Sequence, residues 1–165
     1  MIVDLNLQDP RWGDLALPDL ADKAFQTTLT HLHIDADPCE ISLLACDDAR
    51  IASLNADFRA RDRPTNVLSW PTTDLGAKTP GGAPHSPQPD FTGDMALGDI
   101  AIAFETCQRE AQAANRDMTA HVTHLLVHGL LHLLGYDHIR DLDATYMMEK
   151  EVEILGKLGV SDPYC

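Results

Sequence analysis

The chain of 165 residues is short of positive charge, of paired cysteines and of long apolar runs. Its 12 basic residues stand against 26 acidic ones, and the net charge of −14 argues against nonspecific coating of DNA and against binding to anionic membranes. The most apolar stretch, residues 125–134, contains two histidines and is too short to span a bilayer. We therefore expect neither DNA nor a membrane as a partner, whereas RNA is not excluded, because a local basic patch acts within a Debye length.

The four cysteines form no CxxC pair, so their spacing is typical neither of a zinc knuckle nor of a disulfide framework. They are Cys39, Cys46, Cys107 and Cys165. Residues 1–7 carry no basic segment followed by a long apolar core, so they are not typical of a signal peptide. We expect reduced thiols and a cytoplasmic location.

Hydrophobic residues make up 44% of the chain, and its length suits a single domain, residues 1–165, with one substantial core. Apolar residues recur at strand or helix spacing in nine segments. Strands are predicted at 2–7, 41–46, 65–70 and 95–103, and helices at 18–32, 47–58, 105–115, 119–134 and 141–159. The pattern predicts an α+β fold: a roughly four-stranded mixed sheet packed with about five helices.

Residues 74–93 differ from the rest of the chain, because glycine and proline interrupt any regular pattern there. The segments before and after residues 74–93 do not each look like a complete domain. We therefore expect a flexible loop inside one domain rather than a domain boundary. After the fourth predicted helix, Asp141 or Asp143 is expected to cap the last one.

The most informative motif, residues 128–138, reads His-Gly-Leu-Leu-His-Leu-Leu-Gly-Tyr-Asp-His. On a helix, His128 and His132 lie four residues apart and share a face. Gly135 can end that helix in a left-handed turn, which would bring His138 back toward the pair. Three neutral imidazoles suit one Zn²⁺ ion and leave a fourth coordination position for water.

The spacing HxxxHxxGxxH matches the zinc helix of metzincin proteases, whose full motif is HExxHxxGxxH. Gly129 occupies the position of their glutamate, which is the general base of peptide hydrolysis. The sequence therefore predicts a metzincin-like metal site without the protease's base.

Other polar residues lie near this motif. His124 forms an alternative pair with His128, but only the pair at 128 and 132 has Gly135 and His138 within reach. We expect His124 to support a metal ligand from behind and His121 to lie on the surface. For Asp137 two roles stay open: a residue that orients a ligand or accepts a proton, or a solvated turn residue.

Three of the 12 basic residues fall within five positions, at Arg59, Arg61 and Arg63. Guanidinium groups bind phosphate bidentately and stabilise charge that develops on it. The alternative is a solvated helix end, where cations favour the negative pole of the helix. A zinc site without a protease base, beside isolated arginines, favours a phosphodiester substrate.

The segment 55–71, the strand residues 97–100 and the histidine motif 128–138 together resemble the bacterial YbeY endoribonucleases. The likeness extends from about residue 41 to residue 155. It implies a zinc-dependent, single-strand-specific endoribonuclease that acts in small-subunit rRNA 3′-end maturation and ribosome quality control. It also implies His128, His132 and His138 as the metal ligands and Arg59 as the functional arginine.

For such an enzyme we expect metal-assisted phosphodiester cleavage, in which the ion lowers the pKa of its bound water and Arg59 binds the scissile phosphate. Attack by the RNA 2′-hydroxyl stays open. Expected partners are single-stranded RNA, including rRNA, small-subunit ribosomal proteins and assembly factors, since an acidic chain binds free RNA poorly. Two rivals remain: a metal-dependent hydrolase of a peptide or amide, and a ribosome-assembly factor whose metal is mainly structural.

Overall fold

The computed structural model describes residues 1–164, and Cys165 lies outside them. Its strands are β1 (Ile2–Leu7), β2 (Cys39–Cys46), β3 (Val67–Pro71) and β4 (Met95–Ala103). They form one sheet in the order β1-β2-β4-β3, with β1, β2 and β4 parallel and β3 antiparallel to β4. The predicted mixed sheet of four strands is therefore confirmed, with strand ends shifted by at most two residues.

Five α-helices pack with this sheet in the described part of the chain, and they confirm the predicted α+β fold. They are α1 (Leu17–His31), α2 (Asp48–Arg59), α3 (Phe104–Ala113), α4 (Met118–Leu133) and α5 (Asp141–Lys157). A short 3₁₀ helix, Pro10–Leu15, precedes α1 and was not predicted. It is fixed by Trp12, which is fully buried and donates its indole N–H to the carbonyl of Cys46 at 2.9 Å.

The two faces of β4 contribute to different hydrophobic clusters, because successive side chains of a strand point to opposite sides. Ile100 and Ile102 join the larger cluster, which contains buried residues of α1, α4 and α5. Ala101 and Ala103 join a smaller one with Ile51 of α2. The helix that carries the histidine motif, α4, therefore lies in the larger core.

Helix α4 lies very close to the sheet at Gly129. A Cβ atom at this position would lie 3.3 Å from both Cδ1 and Cγ2 of Ile100 and 3.5 Å from Cγ2 of Val67. The residue after His128 thus faces β4 and β3, where even a Cβ atom would crowd the Ile100 side chain. This packing gives a physical reason for glycine at the position where metzincins carry their base.

Helix α4 ends in a Schellman-type turn, as its sequence predicts. The Tyr136 N–H donates to the carbonyl of Leu131 at 3.0 Å, and Gly135 has a φ of 98°. A Cβ atom at Gly135 would lie 2.6 Å from the carbonyl carbon of Leu75. Glycine is required here twice over, by the left-handed backbone and by the chain that passes against it.

The connection between β3 and β4 contains no helix or strand from residue 72 to residue 94. This agrees with the irregular structure predicted for 74–93. The connection does not extend away from the domain, because Leu75 contacts the end of α4 at Gly135.

The predicted cap of α5 is wrong. The residue that precedes the helix is Arg140, whose side chain makes no capping hydrogen bond, and Asp141 is the first helical residue. Asp143 accepts hydrogen bonds from Arg140 and from the backbone N–H of Gly81 instead. Gly81, which is distant in sequence, thus binds the Asp143 carboxylate that the sequence pattern assigned to the helix end.

None of the helices formed by residues 1–164 combines the length and apolarity that crossing a bilayer requires. The three cysteines in this part of the chain, Cys39, Cys46 and Cys107, are buried and unpaired.

We predict that Gly135→Ala destabilises the protein by about 2–4 kcal/mol, because the added methyl group meets the Leu75 backbone while φ is held positive. Chemical denaturation of the variant and the wild type measures this difference.

The matched control is Gly156→Ala in α5, where no atom lies within 4 Å of the added Cβ. This substitution should stabilise the helix by up to about 1 kcal/mol. Equal stability of Gly135→Ala and the wild type would contradict the proposed contact.

Candidate metal centre and its cleft

Three histidines of the motif come together at the end of α4. Each of the ligand atoms offered by His128, His132 and His138 lies within 4.8 Å of the other two. His128 and His132 are one helical turn apart, and the turn at Gly135 returns the chain so that the His138 ring lies 4.9 Å from that of His132, centroid to centroid. The structure thus brings together the three residues that the sequence predicts as ligands.

Hydrogen bonds set the orientation of two of these rings. The Nδ1 atom of His132 donates to the carbonyl of Tyr136 at 3.0 Å, and Nδ1 of His128 donates to the carboxylate of Glu151. Because a carbonyl and a carboxylate only accept, both protons belong on Nδ1 and both Nε2 atoms present lone pairs. These two Nε2 atoms face each other at 3.0 Å.

Two lone pairs at this separation suit a shared cation. Nitrogens that share a tetrahedral zinc ion lie roughly 3.3 Å apart, given Zn–N bonds of about 2.0–2.1 Å. Burial, together with the neighbouring His128 and His138, lowers the pKa of His132 to about 4. His132 is therefore neutral at neutral pH, which is the form that binds a metal. The cluster can hold a metal ion.

Glu151 of α5 is the site residue that the sequence analysis missed. It is 0% exposed, and its carboxylate accepts hydrogen bonds from His128, from His124 and from the hydroxyl of Tyr164. Burial alone raises the pKa of Glu151, but the hydrogen bonds from His124 and His128 outweigh it and lower the pKa to about 2. The signal was present in the sequence, because Glu151 interrupts the apolar stripe that Met147 and Ile154 form on α5.

His124 lies behind the cluster, with Nε2 at 3.1 Å from the Glu151 carboxylate. His124, His128 and Glu151 form a second group with metal-ligand spacing. In this second group the Glu151 carboxylate already accepts from both histidines, whereas Nε2 of His128 faces His132 in the group that includes His138. The prediction that His121 lies on the surface is wrong: its side chain is 12% exposed and contacts Glu110 of α3 at 3.0 Å.

The carboxylate of Asp137 accepts a hydrogen bond from the backbone N–H of His138 at 2.7 Å. It also opposes the lowering of the His132 pKa through its charge. Asp137 is half-buried and lines the cleft beside His138.

The histidines open onto a cleft of about 610 Å³. His132 and His138 line it on one side, and Arg59, the last residue of α2, lines it as well. Arg59 is exposed and forms no ion pair with any described residue. A cation free to bind a ligand therefore shares one cleft with the histidine cluster.

Arg61 and Arg63 are exposed and are not among the residues that line this cleft. Their backbone closes the turn after α2: the carbonyl of Arg63 accepts from Asn55 Nδ2 at 3.0 Å, and the Arg61 N–H donates to the Asn55 carbonyl at 3.3 Å. Of the three arginines, Arg59 therefore lies at the cleft, whereas Arg61 and Arg63 lie outside it.

Comparison with known proteins gives concordant results. A family model described as Endoribonuclease YbeY matches residues 7–159. A protein of that name from Ruegeria pomeroyi is 64% identical over 99% of this chain and 98% of its own, and one from Jannaschia sp. is 50% identical over 99% of this chain and 100% of its own. In fold, the chain is similar to a solution structure from Thermotoga maritima, with a TM-score of 0.56 and 20% identity over 98% of each chain.

We predict that Glu151→Gln weakens metal binding by about 10–100-fold. His124 and His128 contact different oxygens of the carboxylate, and the amide replaces one of these acceptors by an NH₂ donor. Competition with a chromophoric chelator measures the dissociation constant directly.

Glu149→Gln provides the matched control, since it makes the same change at an exposed position of the same helix. It should bind metal as the wild type does. The orienting role of Glu151 would be refuted by equal metal affinity in the two variants.

Proposed function

The chain belongs to the YbeY endoribonuclease family, and from that premise we propose that it is a zinc-dependent endoribonuclease that cleaves single-stranded RNA. We further propose that it acts in the cytoplasm, in small-subunit rRNA 3′-end maturation and ribosome quality control. The observation that carries the proposal is the histidine cluster beside Arg59 in one cleft.

His128, His132 and His138 would hold one Zn²⁺ through their ring nitrogens. A donor set of three neutral imidazoles suits this ion and keeps a coordination position open. When bound there, zinc supplies a Lewis acid and lowers the pKa of water. Glu151 and the Tyr136 carbonyl fix the ring orientations of His128 and His132, while Asp137 holds the backbone of His138.

Arg59 would bind the scissile phosphate. Its guanidinium lies on the cleft, exposed, at the end of α2, and it is free to form two parallel hydrogen bonds to phosphate oxygens. The same contact stabilises the negative charge that grows on the phosphate as the bond breaks. We assign Arg61 and Arg63 to contacts with the RNA strand outside the cleft.

A peptidase is disfavoured by the packing of α4. The position of the metzincin base, Gly129, faces Ile100 and Val67 and not the cleft, so no carboxylate can act from there. A purely structural metal is disfavoured because His138 is exposed and His132 lines an open cleft. Structural zinc sites are closed by four protein ligands.

Protein partners would supply part of the targeting to RNA. The net charge of −14 opposes binding to a polyanion, and Arg59, Arg61 and Arg63 neutralise only a few phosphates. Small-subunit ribosomal proteins and assembly factors are the partners that fit the proposed role.

We expect the purified, zinc-loaded protein to cleave an unstructured RNA, and a chelator to abolish the activity. Arg59→Ala should lower the cleavage rate by about 10²–10³-fold, since it removes one stabilising group of the transition state. His132→Ala should lose both metal and activity. Arg59→Ala is assayed after its zinc content and thermal unfolding have been compared with the wild type.

Arg50→Ala, on the same helix and away from the cleft, is the matched control and should cleave at the wild-type rate. A folded, zinc-loaded wild type that cleaves no RNA would refute the proposed function.

The chemistry of the new RNA ends reports the attacking group. Attack by water, which we expect, leaves no cyclic phosphate, whereas attack by the neighbouring 2′-hydroxyl produces a 2′,3′-cyclic phosphate. Mass spectrometry of the cleaved oligonucleotide distinguishes the two. A cyclic end would rule out direct attack by water.

A further inference from the structure

The long connection between β3 and β4 forms one wall of the cleft. Five residues of this connection line the cleft together with His132 and His138. They are Asp74, Gly76, Ala77, Gly82 and Pro84. Four of these five are small or uncharged, and the carboxylate of Asp74 is engaged by the backbone N–H of Gly76 at 3.0 Å. This wall presents shape to a ligand and offers no cation.

Arg140 fastens this wall to the segment that carries His138. Its Nη2 donates to the carbonyl of Ala77 at 2.7 Å, and its Nη1 donates to the carbonyl of Lys78 at 3.0 Å. Its Nε donates to the carboxylate of Asp143. One guanidinium thus joins two successive peptide carbonyls of the connection to the first turn of α5.

Asp143 fastens the same wall from the other side. Its Oδ1 accepts from the backbone N–H of Gly81 at 2.9 Å. Gly81 has a φ of 77°, and a Cβ there would lie 3.1 Å from Cβ of Leu142. We call Arg140 and Asp143 the clamp, because together they bind residues 77, 78 and 81 to the start of α5.

We propose that the clamp makes the connection a selectivity wall, which admits unpaired RNA to the histidine cluster and keeps paired RNA out. This inference rests on the proposed nuclease function and names what selects its substrate. Arg140 and Asp143 also line the cleft themselves, and in this proposal they act as positioning residues, through the wall.

The size of the cleft supports selection by shape. Its volume of about 610 Å³ is that of a pocket for a small molecule, which typically measures ~300–1,000 Å³. An unpaired strand can splay single nucleotides into such a pocket, whereas a duplex keeps its bases stacked inside the helix. A wall released from α5 would widen the opening.

The test compares two RNAs of the same sequence, one unpaired and one held in a hairpin stem, by their kcat/KM values. Arg140→Ala and Asp143→Ala should each lower the preference for the unpaired RNA by about five-fold or more. The first removes two hydrogen bonds to the wall, and the second removes one to the wall together with the carboxylate that holds Arg140. Limited proteolysis within residues 77–93 should accelerate in both variants, with zinc content unchanged.

The two substitutions change charge in opposite directions, which separates a clamp from a direct phosphate contact. Loss of a direct contact at Arg140 would weaken cleavage of both RNAs equally, and removal of the Asp143 carboxylate would strengthen it. A clamp predicts the same shift in preference for both variants. Lys23→Ala, an exposed position on α1, is the control for charge and should keep the wild-type preference.

Each other outcome overturns the inference. If both variants keep the wild-type preference while the wild type cleaves unpaired RNA, the wall does not select, and the proposed function stands. If proteolysis of the connection is unchanged, the clamp does not hold it. If the zinc-loaded wild type cleaves neither RNA, the proposed function fails and the inference fails with it.

Discussion

The left-handed turn at Gly135 is the constraint on which both the histidine cluster and the cleft depend. It follows the last helical residue of α4, Leu133, by two positions, and it sends the chain back so that His138 meets the other two rings. The same glycine leaves room for Leu75, so the connection between β3 and β4 can pass against the helix end. One position without a side chain therefore sets both the histidine cluster and the path of the connection beside it.

A second constraint acts on the protons of the cluster. Three imidazoles that converge in a protein would repel one another if protonated, and would fail as ligands if their protons pointed inward. The buried Glu151 carboxylate and the Tyr136 carbonyl each take an Nδ1 proton, which leaves the Nε2 lone pairs of His128 and His132 facing each other. The desolvation cost of burying Glu151 is offset by its three donors, so the arrangement is both stable and directional.

The element pattern was accessible to sequence reasoning because it rests on local periodicity. All four strands and all five α-helices of residues 1–164 lie where apolar spacing predicts them, and Gly135 ends α4 as a helix-stop signal should. Two of the failures share one cause. The expected cap residue Asp143 is bound to Gly81 and Arg140, and the expected surface residue His121 is bound to Glu110. In each case a partner outside the residue's own helix decides the environment, and periodicity carries no information about it.

By itself, the sequence determined the spacing of the three histidines, the glycine between them and the absence of a carboxylate at Gly129, because each depends on residues within one helix and its turn. Only the tertiary structure decided that Glu151, 23 residues after His128, accepts a hydrogen bond from its ring, that Arg59 shares the cleft, and that part of the connection 72–94 lines it. These depend on how α2, α5 and the connection pack around α4. Such packing brings together side chains that are distant along the chain, and its geometry is set by the whole core rather than by any local pattern.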